Sequence, residues 1–181
     1  MEVTADKEFQ VKSDIGSVWK LLSDPAQVVV CVPGAQLTEV VDEMNFKGKI
    51  SVKIGPVTSK FNGEAKFDKL DADTREMVLS GAGTDTGGKG SASMTMSLAL
   101  SETEGGTLVK SSMKLSITGK LAQFGARMIV PVNNKLFNQF TQSFTQMVET
   151  GEAGAGAEAA PVDGLKLAGS VLMGMITGKK D

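Results

Sequence analysis

The sequence predicts an α+β domain in which a curved antiparallel sheet wraps around one long C-terminal helix, with an apolar cavity between them. Two periodicities indicate this fold. After the Pro33-Gly34 turn and up to Thr118, apolar side chains alternate with polar ones, as in strands that are covered on one face only. After Gly119 the apolar residues recur every three or four positions for nearly thirty residues, which is typical of an amphipathic helix.

The elements are predicted in a simple order. A first strand lies within residues 2–12, and Ser13 is the expected N-cap of a short helix that ends before Pro25. A brief helical turn, six more strands and the long helix follow. Gly63, inside an alternating segment, predicts a bend in the sheet.

Composition limits the chemistry of the chain. The 19 basic and 21 acidic side chains are dispersed among 181 residues, so there is no electrostatic footprint for nucleic acid. The chain has no histidine and one cysteine, Cys31, which removes most transition-metal ligand sets and the usual nucleophilic triads. We therefore expect no metal site, no catalytic residue and no nucleic-acid partner. The single cysteine, together with the polar residues 1–14, predicts a cytoplasmic protein.

Three motifs have a functional and a structural interpretation. Residues 83–89 nearly match a phosphate-binding loop, but Gly90 replaces the required Ser or Thr and the next residues alternate as a strand, so we predict a hairpin. Asp68, Asp71 and Asp73 could hold a cation, although three carboxylates in a turn are typical of a solvated loop. Cys31 could be a redox thiol, but without a partner it is predicted to be a small buried residue.

Methionine and phenylalanine give the strongest functional signal. Ten Met and eight Phe stand against one Trp and no Tyr, and flexible Met side chains suit either a surface that adapts to a ligand or an ordinary core. The residues expected to line the cavity are Phe61, Met94, Met96, Met113, Phe124, Met128, Val132, Asn133, Leu136 and Phe140. Asn133, which follows a kink expected at Pro131, is either a polar contact for a ligand carbonyl or a solvent-facing residue.

The C-terminal part predicts a linker and a membrane-associating tail. Residues 1–148 form the domain, 149–160 a flexible Gly/Ala/Glu linker, and 161–181 a tail with a wide apolar arc. The tail is too short to span a bilayer, which needs roughly 20 apolar residues. The residues expected to meet the membrane are Leu165, Leu172, Met175, Ile176, Lys179 and Lys180. A disordered tail, or a helix packed back on the domain, is the alternative.

Several segments together resemble a known family. They are VPGAQ at 32–36, IGPVT at 54–58, FNGEA at 61–65, the glycine-rich hairpin at 81–92 and ITGKLAQFGARMI at 117–129. Residues 1–148 resemble the carbon-monoxide dehydrogenase subunit CoxG, a family with the helix-grip fold of the START/SRPBCC superfamily. The resemblance implies a non-enzymatic accessory protein of molybdenum-containing carbon-monoxide dehydrogenase, or of a related oxidoreductase. It also implies recruitment of that enzyme to the inner face of the cytoplasmic membrane, where electrons pass to quinone.

The cavity, the tail and the quinone chemistry of the expected partner together predict the ligand. We expect an isoprenoid quinone or another apolar lipid, with no covalently bound cofactor. Two alternatives stay open. One is a recruitment or assembly factor that binds no ligand, and the other is a small hydrolase or cyclase of the same fold, which would need a polar cluster inside the cavity.

Overall fold

The predicted order of elements is confirmed in a computed structural model that describes residues 1–151. The strands are β1 (Glu2–Val11), β2 (Ala35–Val40), β3 (Asn45–Ile54), β4 (Val57–Asp71), β5 (Glu76–Asp85), β6 (Gly90–Thr103) and β7 (Gly106–Gly119). The helices are α1 (Ile15–Leu22), α2 (Pro25–Val28) and α3 (Gly125–Thr150), with 3₁₀ turns at Val29–Cys31 and Lys120–Phe124.

All seven strands form one antiparallel sheet in the order β1-β7-β6-β5-β4-β3-β2. One face of this sheet, called here the inner face, packs against α3. Among the strands, α3 has its main backbone contacts with β1 and β3, which lie towards opposite edges of the sheet. The helix therefore bridges the flanks of the sheet.

A row of glycines lets the sheet curve around the helix. Gly48, Gly63 and Gly83 lie side by side on β3, β4 and β5. A Cβ atom at Gly48 would lie 2.6 Å from the carbonyl oxygen of Gln36, and one at Gly63 would collide with the carbonyl oxygen of Ala82. Only glycine permits such close approach of neighbouring strands, so this row accounts for the curvature that Gly63 predicted.

Two predicted boundaries are wrong in detail. The N-cap of α1 is Asp14 and not Ser13, because the Asp14 carboxylate accepts hydrogen bonds from the Ser17 backbone N–H at 2.9 Å and from the Ser17 hydroxyl at 2.7 Å. The long helix does not begin at Gly119. A 3₁₀ turn comes first, and Gly125, whose φ of 69° is left-handed, separates that turn from α3.

The far end of α3 lies close to the predicted domain boundary. The helix runs to Thr150, two residues beyond the predicted end of the domain, and Gly151 closes it in a left-handed conformation with a φ of 82°. The backbone N–H of Gly151 donates to the carbonyl oxygen of Met147 at 2.7 Å. The rest of the predicted linker and the whole predicted tail, residues 152–181, lie outside the described residues. Within residues 1–151, no helix is long and apolar enough to cross a membrane.

Two separate hydrophobic clusters attach α3 to the sheet. The first, called the Phe144 cluster, contains the buried residues Val11, Val18, Trp19, Leu21, Leu22, Cys31, Phe67, Met77, Leu100, Val109 and Phe144. The second, called the Ile129 cluster, contains Val3, Ile54, Phe61, Ile117, Leu121 and Ile129. The clusters lie at opposite ends of the helix, so the middle of α3 is held from both sides.

Candidate functional site

Several predicted lining residues lie between the two clusters and belong to neither of them. On the sheet, Met94, Met96 and Met113 lie on the inner face, yet all three are only half-buried and belong to neither cluster. On the helix, Asn133 and Leu136 are also only half-buried, and neither belongs to a cluster. Large side chains that face a covering helix normally pack into a continuous core. Their remaining exposure indicates open space between the sheet and the helix, called here the gap.

The strand register places small residues beside these methionines. Met94 pairs with Gly81 on β5, and Gly81 in turn pairs with Ala65 on β4. Met113 pairs with Ala5 on β1. Because Gly and Ala project little or no side chain, the thioethers of the gap have room to change rotamer. Such a lining suits an apolar guest of variable shape.

Most of the other predicted lining residues lie at the two ends of the gap. Phe61 is buried in the Ile129 cluster, and Phe124, Met128 and Val132 pack against that cluster. Phe124 lies on the 3₁₀ turn and not on the long helix, so its predicted place among the apolar residues of that helix is wrong. Phe140 packs against the Phe144 cluster, where its ring stacks on Phe144 with centroids 5.5 Å apart.

Two residues that sequence reasoning missed border the gap. Lys7 lies on β1 with its Nζ atom 5.9 Å from the ring centroid of Phe137, which is on α3. The Phe137 ring in turn meets Phe9 edge-on at 6.0 Å. Lys7 is an even number of residues from Val3, Phe9 and Val11, so the alternation of a strand places all four on one face, and this was the signal that could have found it.

The glycine-rich hairpin is structural, as predicted. The carboxylate of Asp85 accepts hydrogen bonds from the backbone N–H groups of Lys60 at 3.2 Å, Gly87 at 3.0 Å and Lys89 at 3.0 Å. The bond from Lys89, followed by the charge of the Lys89 side chain, holds the pKa of Asp85 below its usual value. Asp85 is buried, and these three hydrogen bonds to its carboxylate stabilise the turn.

Neither Cys31 nor the acidic turn supplies a reactive group. Cys31 is buried in the Phe144 cluster, its Sγ atom lies 3.4 Å from the Sδ atom of Met147, and burial raises the pKa of the thiol to about 11. In the turn after β4, the Asp71 carboxylate accepts from the backbone N–H groups of Asp73 and Thr74. No group of three His, Cys, Asp or Glu residues within residues 1–151 is arranged to hold a metal ion.

The outer face of the sheet has two shallow depressions. One, of about 570 Å³, lies over β4, β5 and β6 among polar residues such as Asn62, Thr84 and Ser93. The other, of about 520 Å³, lies between Glu8 and Lys110. None of the predicted ligand-binding residues lines either depression, so the predicted site depends on the gap under α3.

The sequence matches, over residues 8–149, the family model that describes the carbon monoxide dehydrogenase subunit CoxG. The chain belongs to this family. The predicted resemblance is thereby confirmed, and the match covers all the buried members of both clusters except Val3. A comparison with curated protein sequences gives no match.

Solved structures confirm the helix-grip fold of this CoxG-family chain. A conserved protein from Geobacillus kaustophilus is 20% identical with a TM-score of 0.74, and the alignment covers 83% of this chain and 97% of that one. The ZhuI aromatase/cyclase from Streptomyces sp. R1128 is 10% identical with a TM-score of 0.59, covering 85% and 100%. Truncated norcoclaurine synthase from Thalictrum flavum is 16% identical with a TM-score of 0.56, covering 83% and 95%. At these identities the likeness concerns the fold alone.

Proposed function

We propose that this CoxG-family protein is a non-enzymatic accessory protein of carbon-monoxide dehydrogenase or a related molybdenum hydroxylase. It binds an apolar ligand, an isoprenoid quinone, in the gap beneath α3, and it recruits the enzyme to the cytoplasmic membrane. The observation that carries the ligand-binding part is the set of half-buried inner-face methionines, Met94, Met96 and Met113, that join neither hydrophobic cluster.

An isoprenoid chain suits a gap of this chemistry. Transfer of apolar groups from water contributes about 0.8 kcal/mol per methylene. A few five-carbon units therefore offset the cost of binding and give affinities of about micromolar, which corresponds to roughly 8 kcal/mol. The adaptable thioethers of Met96 and Met113 contact such a chain without demanding one fixed shape.

The chemistry around the gap favours a carrier over an enzyme. Among residues 1–151, the charged residues at inward positions of the sheet are Lys7, Asp85 and Glu102. Asp85 is held by the hydrogen bonds of its turn, and Glu102 is exposed near the end of β6. General acid–base catalysis needs a positioned acid or base within reach of substrate. The fold is shared with a cyclase and a synthase, but their chemistry depends on their own side chains.

Charge separation along the domain supports membrane association through one end. At the end that carries the β3–β4 and β5–β6 turns, Lys53, Lys60, Lys120 and Arg127 are exposed and have no ion-pair partner within residues 1–151. Val130, 37% exposed, lies on α3 three residues after Arg127. The opposite end carries exposed acids, in its turns at Asp42, Glu43, Asp73 and Glu104 and near the strand ends at Glu102 and at Asp68, which pairs with Lys66. Basic residues near an anionic leaflet contribute about 1 kcal/mol each, so the basic end would face the lipid.

Ligand binding is tested on the full chain purified from its own host. Native mass spectrometry is expected to show one apolar molecule per chain, and lipid extraction is expected to identify it as an isoprenoid quinone. A chain that carries no apolar molecule, and that also extracts no quinone from vesicles, would leave only the recruitment role.

Membrane association is tested by flotation with phosphatidylglycerol vesicles at low salt. The double variant Lys53→Glu, Lys120→Glu is expected to bind several-fold less than the natural chain, because the basic end then repels the anionic surface. The matched control, Lys12→Glu with Lys110→Glu, makes the same change in net charge at exposed sites away from that end. Equal losses in both variants would contradict the orientation, and no flotation of the natural chain would contradict membrane association. Recruitment of the enzyme is then tested by its co-flotation.

A further inference from the structure

Lys7 is a half-buried charged side chain on the inner face of the sheet. Its ammonium has no hydrogen bond and no ion pair within residues 1–151, and its closest aromatic contact is the Phe137 ring at 5.9 Å. An ammonium held over a ring face is stabilised by the ring quadrupole and still has its three N–H donors available. The arrangement therefore holds a cation at the border of an apolar space.

The strand register places Lys7 at the β1 side of the gap. Lys7 pairs with Ser111, and the next inward row contains Ala5 paired with Met113. The Ser111 hydroxyl donates to the backbone carbonyl of Lys7 at 3.3 Å, so it fixes the strand and leaves the ammonium free. The charged end of Lys7 is thus one inward row away from the Met113 thioether.

A second free donor lies on the helix above this corner. Asn133 precedes Phe137 by four residues, which places both on one face of α3, one turn apart. The half-buried Asn133 side chain makes no hydrogen bond within residues 1–151. Lys7 and Asn133 are therefore two N–H donor groups without a hydrogen-bond partner within residues 1–151, one on β1 and one on the helix that covers the inner face.

We propose that Lys7 and Asn133 bind the oxygen-bearing head of the apolar ligand, a quinone carbonyl or the corresponding quinol oxygen, while the methionines contact its body. This inference rests on the proposed ligand-binding function and assigns the orientation of the ligand in the same gap. A carbonyl that leaves water needs a replacement donor, and a charged donor makes the stronger hydrogen bond. The head then lies at the β1 side, and the chain extends under α3 towards Gly81 and Met94.

The test compares two probes with the same decyl chain on a six-membered ring, decylbenzoquinone, which has two carbonyl oxygens, and decylbenzene, which has none, by displacement of a fluorescent apolar dye from the full chain. In Lys7→Met, which keeps most of the length of the side chain and removes the charge, the quinone is expected to bind about tenfold more weakly, the effect of one lost charged hydrogen bond. Decylbenzene affinity is expected to stay within about twofold, because it has no acceptor for either donor. Asn133→Leu is expected to show the same selective loss, and Lys7→Arg to keep quinone affinity.

The matched control is at Lys110, an exposed lysine on the outer face of β7. Lys110→Met is expected to change neither affinity. Unchanged quinone affinity in Lys7→Met, or equal weakening of both probes, would overturn the assignment of the head group while leaving ligand binding in place. Failure of the natural chain to bind either probe would overturn the proposed ligand binding, and this assignment with it.

Discussion

Gly81 lies directly opposite Met94 in the ladder between β5 and β6, on the face that α3 covers. A Cβ atom at Gly81 would lie 3.4 Å from the carbonyl oxygen of Glu64 and 3.7 Å from the Cβ atom of Ala65, which are ordinary van der Waals distances. Gly63, by contrast, has no room for any side chain because the backbone of Ala82 is too close. A side chain added at Gly81 therefore extends into the gap without moving a strand.

Gly81→Leu is expected to abolish binding of the apolar ligand while leaving the domain folded. The free energy of unfolding should stay the same or rise by up to about 1 kcal/mol, because glycine weakens a strand interior. Urea unfolding and ligand titration measure the two effects on the same sample. The control is Ala82→Leu, which adds the same side chain to the exposed outer face and should leave binding intact.

The stability of Gly81→Leu also distinguishes a gap from a packed core. If the space beneath α3 were filled, the new side chain would overpack it and destabilise the protein by about 1–3 kcal/mol. A loss of that size would count against the gap, and against every ligand assigned to it.

Two methionines on neighbouring strands offer a second comparison. Met77 is 2% exposed inside the Phe144 cluster, whereas Met96 is half-buried at the gap. Met77→Ala is expected to cost about 2–5 kcal/mol of unfolding free energy, because it leaves a cavity in a packed cluster. Met96→Ala should cost about 1 kcal/mol or less without ligand, since few neighbours lose contacts. Equal losses in urea unfolding would show that Met96 belongs to the core.

Much of the fold follows from local pattern. In the alternating pattern of residues 46–54, Ile50, Val52 and Ile54 share one face, and all three belong to or pack against the Ile129 cluster. This works because the side-chain period of a strand is fixed by its geometry. The start of α3 was missed because spacing does not reveal the backbone conformation of Gly125, whose positive φ interrupts the helical stripe.

The sequence does not show which apolar residues of α3 join a cluster and which border the gap. Leu136 and Phe140 share one face of α3, yet Phe140 packs against a cluster and Leu136 does not. The difference depends on how far the curved sheet lies from each turn of the helix, which is a long-range property of strand pairing. Lys7 was missed for a chemical reason, because a lysine at an inward position is uncommon and is usually expected to be solvated.

Cys31 should be almost unreactive in the native protein. Burial raises its pKa from 9.0 to about 11, so at pH 8 the thiolate fraction is about a hundredfold lower than in the unfolded chain. A disulfide reagent such as DTNB is expected to label Cys31 rapidly in urea and very slowly without it. Rapid labelling of the folded protein would contradict the burial.

The same shift makes stability depend on alkaline pH. Between pH 9 and 11 the unfolded chain loses the Cys31 proton first, so stability falls as the pH rises through this window, by at most about 3 kcal/mol. Comparison with Cys31→Ala, which lacks this proton, isolates the contribution. The difference in unfolding free energy between the two proteins is expected to be constant below pH 9 and to change only above it.

Asp85 should contribute stability with the opposite dependence on pH. Its native pKa lies below the usual 3.8, mainly because of the hydrogen bond from the Lys89 backbone, so the stabilisation is complete above that value and is lost as the pH falls through the native pKa. Asp85→Asn is expected to lower the urea midpoint at pH 7, since the amide group turns donors towards the backbone N–H groups of the turn. The difference from the natural protein should shrink below pH 3.8.

The control is at Asp73, an exposed carboxylate in a turn at the opposite end of the sheet. Asp73→Asn should leave the urea midpoint at pH 7 unchanged. A constant difference at all pH values would show that Asp85 acts through its shape and not through its charge.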